Sequence, residues 1–484
     1  MKTLRSCLRF VCGLLLVIVL FVMGWYALLL IINRNEAALS EEAQHALLYA
    51  LPVAEQLEDN GFLILAGLDA PWESLTQDAA IPAYDLGRQR LKREIERYQW
   101  TLANPGNAEG MPSNMAESKP KLNVLPAELR CPPGEADCFA WYQARKTALT
   151  ATIHANHALI QRLNAAATAK QFNNPFPVHL YYDLSIHAPL IRSHELWLAQ
   201  AALQWVEGQQ AEAITKVATA SRLRSRLAQN PSSLVTSMTA LAMQARELHW
   251  LSNAAERTAP AVVTRQIEQL LAAQPHSLHA GLESEKRLMA SIYYTFRHYR
   301  RSGIFSSPWD ERYARWQQVL NRISATGFLP NETTNQIVKD MATVQRISDL
   351  PAHEQESAFS NYMSSKPDDA ACQYPMLPLR NQMGRCISAV GTAHYLAFMQ
   401  RVNDIEGYRR LVLLQRQALV EGISPAAMPA WLDQSPVELR NPYTRQAMEW
   451  DAGTSSLVFE GKEKQNQNSN GSSTYRVRLF TPAI

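Results

Sequence analysis

The spacing of apolar residues changes twice along the chain, and the first region is one uninterrupted apolar run. Phe10 to Ile32 contains no charged residue and no proline. As a helix, this run spans about 34 Å, enough to cross the ~30 Å hydrocarbon core of a bilayer. A cleaved signal peptide is the alternative, but its apolar stretch is only about 7–15 residues long and ends at a small-residue cleavage site. We therefore predict a transmembrane helix at 10–32.

Beyond this run, apolar residues recur at the spacing of amphipathic helices. Met238, Leu241, Ala245 and Leu248, for example, fall on one helical face. The chain is predicted to be helical over 36–58, 84–100, 139–169, 193–206, 210–228, 261–273, 278–301, 309–325, 331–348, 352–364 and 385–421. Start signals are Ser193 as an N-cap and Pro231 at a first helical position. The segment 61–71 interrupts the helical pattern, and His394 falls on the apolar stripe of the last helix, which predicts a core histidine.

The end of the chain follows the period of two that is typical of strands. Leu457 and Phe459, and later Tyr475, Val477 and Leu479, alternate with polar neighbours. The polar stretch 461–473 between them predicts the tip of a hairpin. The predicted fold class is therefore mainly α, with one N-terminal transmembrane helix, a body of helical hairpins and a small C-terminal β-hairpin.

These changes in pattern also predict domain boundaries. We expect a cytoplasmic tail at 1–9, the transmembrane helix at 10–32 and a membrane-proximal region of helices and proline-rich loops at 33–135. A helical body at 136–422 and a C-terminal hairpin module at 423–484 complete the chain.

Charge gives the orientation and excludes one class of partner. The chain has 484 residues, 47 of them basic and 44 acidic, and the net charge of +3 comes from Lys2, Arg5 and Arg9. By the positive-inside rule, this tail lies in the cytoplasm and residues 33–484 lie on the far side of the membrane. The remainder of the chain is neutral, so no electrostatic argument favours binding to nucleic acid.

Four of the six cysteines lie beyond the apolar run, where an oxidising compartment favours disulfides. They form two close pairs in the sequence, Cys131 with Cys138 and Cys372 with Cys386. We predict these two local bonds over the crossed pairings, because closing a short loop costs less chain entropy. A zinc site is disfavoured, since the spacing C-x-x-C does not occur.

Candidate chemistry is sparse. The sequence has no nucleophile elbow, no phosphate-binding loop and no H-E-x-x-H motif. His179, His187 and His194 lie in or beside a proline-rich segment and are the candidate metal ligands. The alternative is that these histidines pack or form hydrogen bonds. Neither a cofactor nor a catalytic residue is predicted.

Two segments resemble known structures. Residues 193–228 resemble one tetratricopeptide hairpin, but no second copy follows 34 residues on, and an ordinary helical hairpin is the alternative. The sequence Asn441-Pro442-Tyr443-Thr444, followed by Met448 and Trp450, resembles a C-terminal module of uncharacterised bacterial proteins that are membrane-anchored and face the periplasm. That resemblance implies compartment and fold, with no activity attached. This chain has Arg445 where the module has glycine, which disfavours a positive φ there.

The predicted function is a non-catalytic binding or scaffolding role in the cell envelope. We expect a single-pass protein of the bacterial inner membrane, with its N-terminus in the cytoplasm and its bulk in the periplasm. Its expected partners are the bilayer, through 10–32, and an envelope protein. The alternative is a metal-dependent envelope hydrolase that uses His179, His187 and His194.

Overall fold

The structure is a computed structural model. It describes residues 2–49, 51–71, 79–104, 111–112, 124–132, 135, 137–179, 187–257, 261–272, 277–295, 327–366, 380–463 and 474–479. The predicted helix 309–325, most of the predicted hairpin tip 461–473 and Cys372 lie outside the described residues.

Helix α1 (Lys2–Ile32) contains the apolar run. Its segment Phe10–Ile32 has a mean hydropathy of 2.9, and only 6% of the most apolar window is buried against the rest of the chain. Among the described helices, this is the one long and apolar enough to cross a membrane. These properties suit either a membrane anchor or a signal sequence.

The end of α1 is attached to the helical body. Asn33 is buried, and its side-chain oxygen accepts a hydrogen bond from the backbone N–H of Asn381 at 2.9 Å. Arg380 donates to the carbonyl oxygens of Ile32 at 2.8 Å and Asn35 at 2.7 Å. The base of α1 is thereby held against a segment about 350 residues later in the chain.

The membrane-proximal region contains α2 (Glu41–Leu47), α3 (Ala54–Leu57), α4 (Gly61–Ala66) and α5 (Ala80–Ala103). Every residue of α4 is buried. A Cβ added at Gly87 of α5 would lie 2.0 Å from the carbonyl oxygen of Leu63, so glycine permits the close approach of α4 and α5. The predicted interruption at 61–71 is therefore wrong over α4. A helix that is apolar on all sides has no amphipathic period to reveal it.

The predicted helix 139–169 is three helices: α6 (Cys138–Ala144), α7 (Lys146–Ala155) and α8 (His157–Thr168). The chain turns at Arg145 and at Asn156, where φ is near −110° and ψ near 20°. Neither break carries a proline or a glycine, which explains why the sequence pattern did not predict it.

The middle of the body is formed by α9 (His187–Val206), α10 (Gln210–Gln229) and α11 (Leu234–Ala255). The predicted hairpin is confirmed, with Gly208 at φ 85° in the turn. Two predicted start signals are wrong. Ser193 lies inside α9, where its hydroxyl donates to the carbonyl of Pro189, and α11 begins after Ser233, which caps the N–H of Thr236.

The remaining helices are α12 (Ala261–Ala272), α13 (His279–Thr295), α14 (Pro330–Ser348), α15 (Ala352–Ser364), α16 (Gln382–Ala393), α17 (Tyr395–Glu421) and α18 (Met428–Asp433). Helices α13, α14 and α16 pack together, and α17 packs on α11. The predicted helix 385–421 is divided at His394, which is exposed. The prediction of a core histidine there is wrong.

A small antiparallel sheet ends the fold. Strands β1 (Glu449–Asp451), β2 (Ser456–Glu460) and β3 (Thr474–Arg478) pair in the order β1-β2-β3, with Leu457 opposite both Trp450 and Val477. The predicted hairpin is confirmed as β2–β3, and β1 extends it to three strands. The sheet packs on α17, so the fold is mainly α with a small C-terminal sheet.

Arg445 adopts a positive φ of 61° in the turn before β1. The expectation that arginine disfavours a positive φ at this turn is wrong, since the turn takes the left-handed form although glycine is absent.

Candidate functional site

A groove of about 590 Å³ lies between α8 and α10, with part of α9 at its base. We call it the α8–α10 groove. Its lining includes Ile160 and Gln161 of α8, Trp197 and Gln200 of α9 and Lys216 of α10. Trp197 is almost fully buried, so its ring closes the bottom of the groove rather than offering a free face. The lining is thus apolar at depth and polar along the walls.

Lys216 is the basic residue of this groove. No contact within 4 Å joins its ammonium group to a carboxylate, and no hydrogen bond is found for it within the described chain. Burial lowers the pKa of Lys216 to about 8, because a charged amine loses solvation without gaining a partner. An anion that enters the groove would supply the missing partner.

Two buried amide oxygens in the same groove also lack partners. The Oε1 atoms of Gln161 and Gln200 are shielded from solvent and accept no hydrogen bond. A buried acceptor without a donor costs about 1–3 kcal/mol, so native structures seldom keep one without reason. Because neither oxygen is exposed to solvent, a ligand in the groove reaches them only if these side chains rotate toward it.

The exposed rim of the groove carries an imidazole and a carboxylate. His157 begins α8, and Glu212 lies one helical turn before Lys216 on α10. The exposed carboxylate of Glu212 near the half-buried amine of Lys216 favours a ligand with a defined orientation over a general attraction for polyanions.

The interior of the same helices is different, because its charged groups are paired. Glu247 of α11 accepts from Nε2 of His194 at 3.0 Å and from Nε of Arg224 at 2.8 Å. Burial alone would raise the pKa of Glu247, but the charge of Arg224 and the hydrogen bond from His194 outweigh it, and the pKa lies below its ordinary value. This cluster joins α9, α10 and α11 from within.

The predicted metal candidates contact separate carboxylates. Nε2 of His179 lies 3.0 Å from Oε2 of Glu94 on α5, whereas His194 belongs to the Glu247 cluster. His187 begins α9, and its side chain lies outside the described residues. The contacts of His179 and His194 match the alternative interpretation, in which these histidines form structural hydrogen bonds.

The predicted bond between Cys131 and Cys138 is present, with a Cα–Cα distance of 5.6 Å. Cys386 is also disulfide-bonded, but its predicted partner Cys372 lies outside the described residues. A disulfide indicates an oxidising compartment. His249 of α11 lies beside the first bond, with Nε2 3.2 Å from Sγ of Cys138.

Among the described residues, Cys131, Cys138 and His249 also form the one group of three whose ligand atoms approach closely enough for a metal. Because the two sulfurs are bonded to each other, neither is a thiolate that could bind a metal. None of the predicted histidine candidates belongs to this group.

No protein-family model matches the chain, and comparisons with curated proteins and with solved structures give no match either. Function is therefore inferred from the geometry of this chain alone.

Sequence reasoning did not find the residues of the groove. Lys216, Gln161 and Gln200 are ordinary polar residues of amphipathic helices, and their lack of partners depends on how three helices pack. His249 likewise gave no signal, since it lies 111 residues from Cys138. Only the hairpin turn at Gly208, which sets α10 against α9, could be predicted.

Proposed function

We propose that the protein is a non-catalytic, membrane-anchored binding protein of the cell envelope, and that a protein partner binds in the α8–α10 groove. The observation that carries this proposal is the contrast in pairing described above. The Glu247 cluster pairs its buried charges, whereas the amine of Lys216 has no partner within the described chain.

The chemistry of the groove indicates the kind of segment it accepts. An acidic group of a peptide can pair with Lys216, and the amide groups of Gln161 and Gln200 can bond to its backbone once these side chains rotate toward the groove. Ile160 and the base formed by Trp197 suit a small apolar side chain. An acidic peptide segment of a partner protein satisfies all of these requirements.

Site-specific photocrosslinking in intact cells tests the binding surface. A photoreactive amino acid at Thr215, which is exposed and lines the groove, should give a discrete adduct. The control position is Ser357, which is exposed on α15. Lys216→Met should reduce the Thr215 adduct, and Lys216→Arg should retain it. No adduct at Thr215, or equal adducts at both positions, would count against the proposal.

The topology is proposed on the apolar helix and the charge of its flanks. With the basic tail in the cytoplasm, residues 33–484 lie in the periplasm of a bacterial inner-membrane protein. Alkaline phosphatase fused after Asn60 should be active, because this reporter requires an oxidising compartment. Activity of a cytoplasmic reporter at the same position would reverse the orientation and remove the envelope from the proposal.

The alternative of a metal-dependent hydrolase receives no support from the contacts of His179 and His194. Each imidazole is committed to a different buried carboxylate. Stoichiometric zinc in the purified full-length protein, lost in His194→Gln, would restore that alternative.

A further inference from the structure

The disulfide between Cys131 and Cys138 is asymmetric in its surroundings. Cys138 is buried, and its sulfur lies 3.2 Å from Nε2 of His249. Cys131 is only partly buried. Cys131 is therefore the more exposed residue of the pair, and the sulfur of Cys138 faces an imidazole.

The backbone that carries Cys138 is held against α11 independently of the contact between sulfur and imidazole. Asn253, one turn after His249 on α11, donates from Nδ2 to the His249 carbonyl at 3.0 Å. Its Oδ1 accepts from the backbone N–H of Cys138, also at 3.0 Å. Asp137 caps α6 and pairs with Arg257 of the same region at 2.6 Å. These contacts fix the start of α6 against α11 and so fix Cys138 against His249.

We propose that Cys131–Cys138 is a site of thiol–disulfide exchange, in which an external thiolate attacks Cys131 and His249 stabilises the Cys138 sulfur that leaves. The attacking sulfur forms a new bond to Sγ of Cys131, the Cys131–Cys138 bond breaks, and its electron pair remains on Sγ of Cys138. The imidazole Nε2–H donates a hydrogen bond to this thiolate, and the thiolate takes its proton from solvent. A second thiolate of the same reductant then attacks the mixed disulfide and releases Cys131, so a dithiol is oxidised and this bond is reduced.

Two features favour this direction of attack. A partly exposed sulfur is the accessible one, and the sulfur whose thiolate is better stabilised leaves faster. Burial lowers the pKa of His249, opposed by the nearby charge of Glu135, so the ring is neutral near pH 7 and can carry one proton on Nε2. A disulfide with a purely structural role needs neither an accessible cysteine nor an imidazole beside the other sulfur.

The test treats the full-length protein in detergent with glutathione and quenches the reaction with an alkylating reagent. Peptide mapping should place the glutathione adduct on Cys131 rather than Cys138. His249→Phe should slow opening of this bond by about tenfold or more, since it removes a hydrogen bond to a charged group. His249→Gln, which keeps an N–H donor, should recover part of the rate.

Two controls distinguish a slower exchange reaction from a general loss of structure. His279→Phe alters an exposed histidine of α13 and should leave the rate unchanged. The bond at Cys386 reports within each sample whether the fold has opened generally. If His249→Phe unfolds the protein, the proposal is still tested by the position of the adduct in the wild type and by the rate of bond opening in His249→Gln. Adducts mainly on Cys138, a rate unaffected at His249, or no exchange while the fold is intact would each overturn the proposal.

Discussion

Arg224 and Lys216 lie two helical turns apart on α10 but differ in whether their charged groups have partners. Arg224 faces the interior, where its guanidinium contacts Glu247 at 2.8 Å and the Ser221 hydroxyl at 3.0 Å. Lys216 lines the α8–α10 groove, and the described chain offers its amine no partner. The same helix thus carries one cation that supports the fold and one that is available to a ligand.

This difference gives a criterion for separating structural from binding residues in a helical body. Removing one partner of a buried pair leaves a charge without compensation, which is costly. Removing a half-buried cation that has no partner relieves a desolvation cost already present in the folded state. Interior substitutions should therefore lower stability, and groove substitutions should lower binding with little loss of stability.

The largest effect is expected for Glu247→Gln. This change keeps the volume of the side chain but leaves Arg224 buried without its carboxylate, so the free energy of unfolding should fall by about 3–5 kcal/mol. Urea denaturation of the full-length protein in detergent measures it. Glu207→Gln is the control, because Glu207 pairs with Lys146 on the surface and should contribute less than about 1 kcal/mol. Similar losses in both variants would show that the Glu247 cluster does not stabilise the interior.

Gly407→Ala tests whether a change in apolar packing lowers stability as much as a change in the Glu247 cluster. A Cβ at Gly407 of α17 would lie 2.3 Å from the ring of Phe459, which is buried under the sheet. Overpacking should cost about 1–3 kcal/mol, because the ring must move together with β2. At Gly391 of α16, an added Cβ meets only the Tyr293 hydroxyl, at 3.2 Å. Gly391→Ala should therefore be neutral or stabilising, and a melting temperature lowered equally by both changes would contradict this account.

The sequence predicted the parts of the fold that depend on local patterns. Leu457 and Val477 alternate with polar neighbours, and their strands pair as expected. The apolar run of α1 and the bond Cys131–Cys138 were also predictable, because length and short loop closure are local properties. By contrast, the break at His394 has no proline or glycine beside it, and the burial of α4 follows from contacts with α5 and α8. The α8–α10 groove was the feature least predictable from the sequence. Whether Lys216 has a partner depends on how α8, α9 and α10 pack together.

Arg445→Gly examines a third basic residue, which neither pairs in the interior nor lines the groove. Arg445 is exposed and holds a φ of 61°, a conformation that favours glycine. Replacing it with glycine should raise stability by about 0.5–1 kcal/mol, since the strain of the left-handed backbone is relieved. Arg445→Ala is the control, because it removes the same side chain and keeps the strain. Equal melting temperatures for the two variants would show that the turn is unstrained.

The smallest effect is the pH dependence contributed by Lys216. Its pKa is about 8 in the folded chain, against about 10.4 for an exposed lysine in the unfolded chain. Between these values the unfolded chain binds the additional proton, so the free energy of unfolding rises with pH across this window. Below the window this group makes no pH-dependent contribution, because it is protonated in both states. Because Lys216 is partly exposed, solvent screens much of the difference and the rise should be small.

Lys216→Met should remove this rise without lowering stability at neutral pH. Other groups titrate in the same range, so the quantity to compare is the difference between variant and wild type at each pH. Lys146→Met, at an exposed position, controls for the loss of one positive charge. A clear loss of stability at neutral pH in Lys216→Met would mean that the amine supports the fold as Arg224 does, and the distinction between the two residues of α10 would fail.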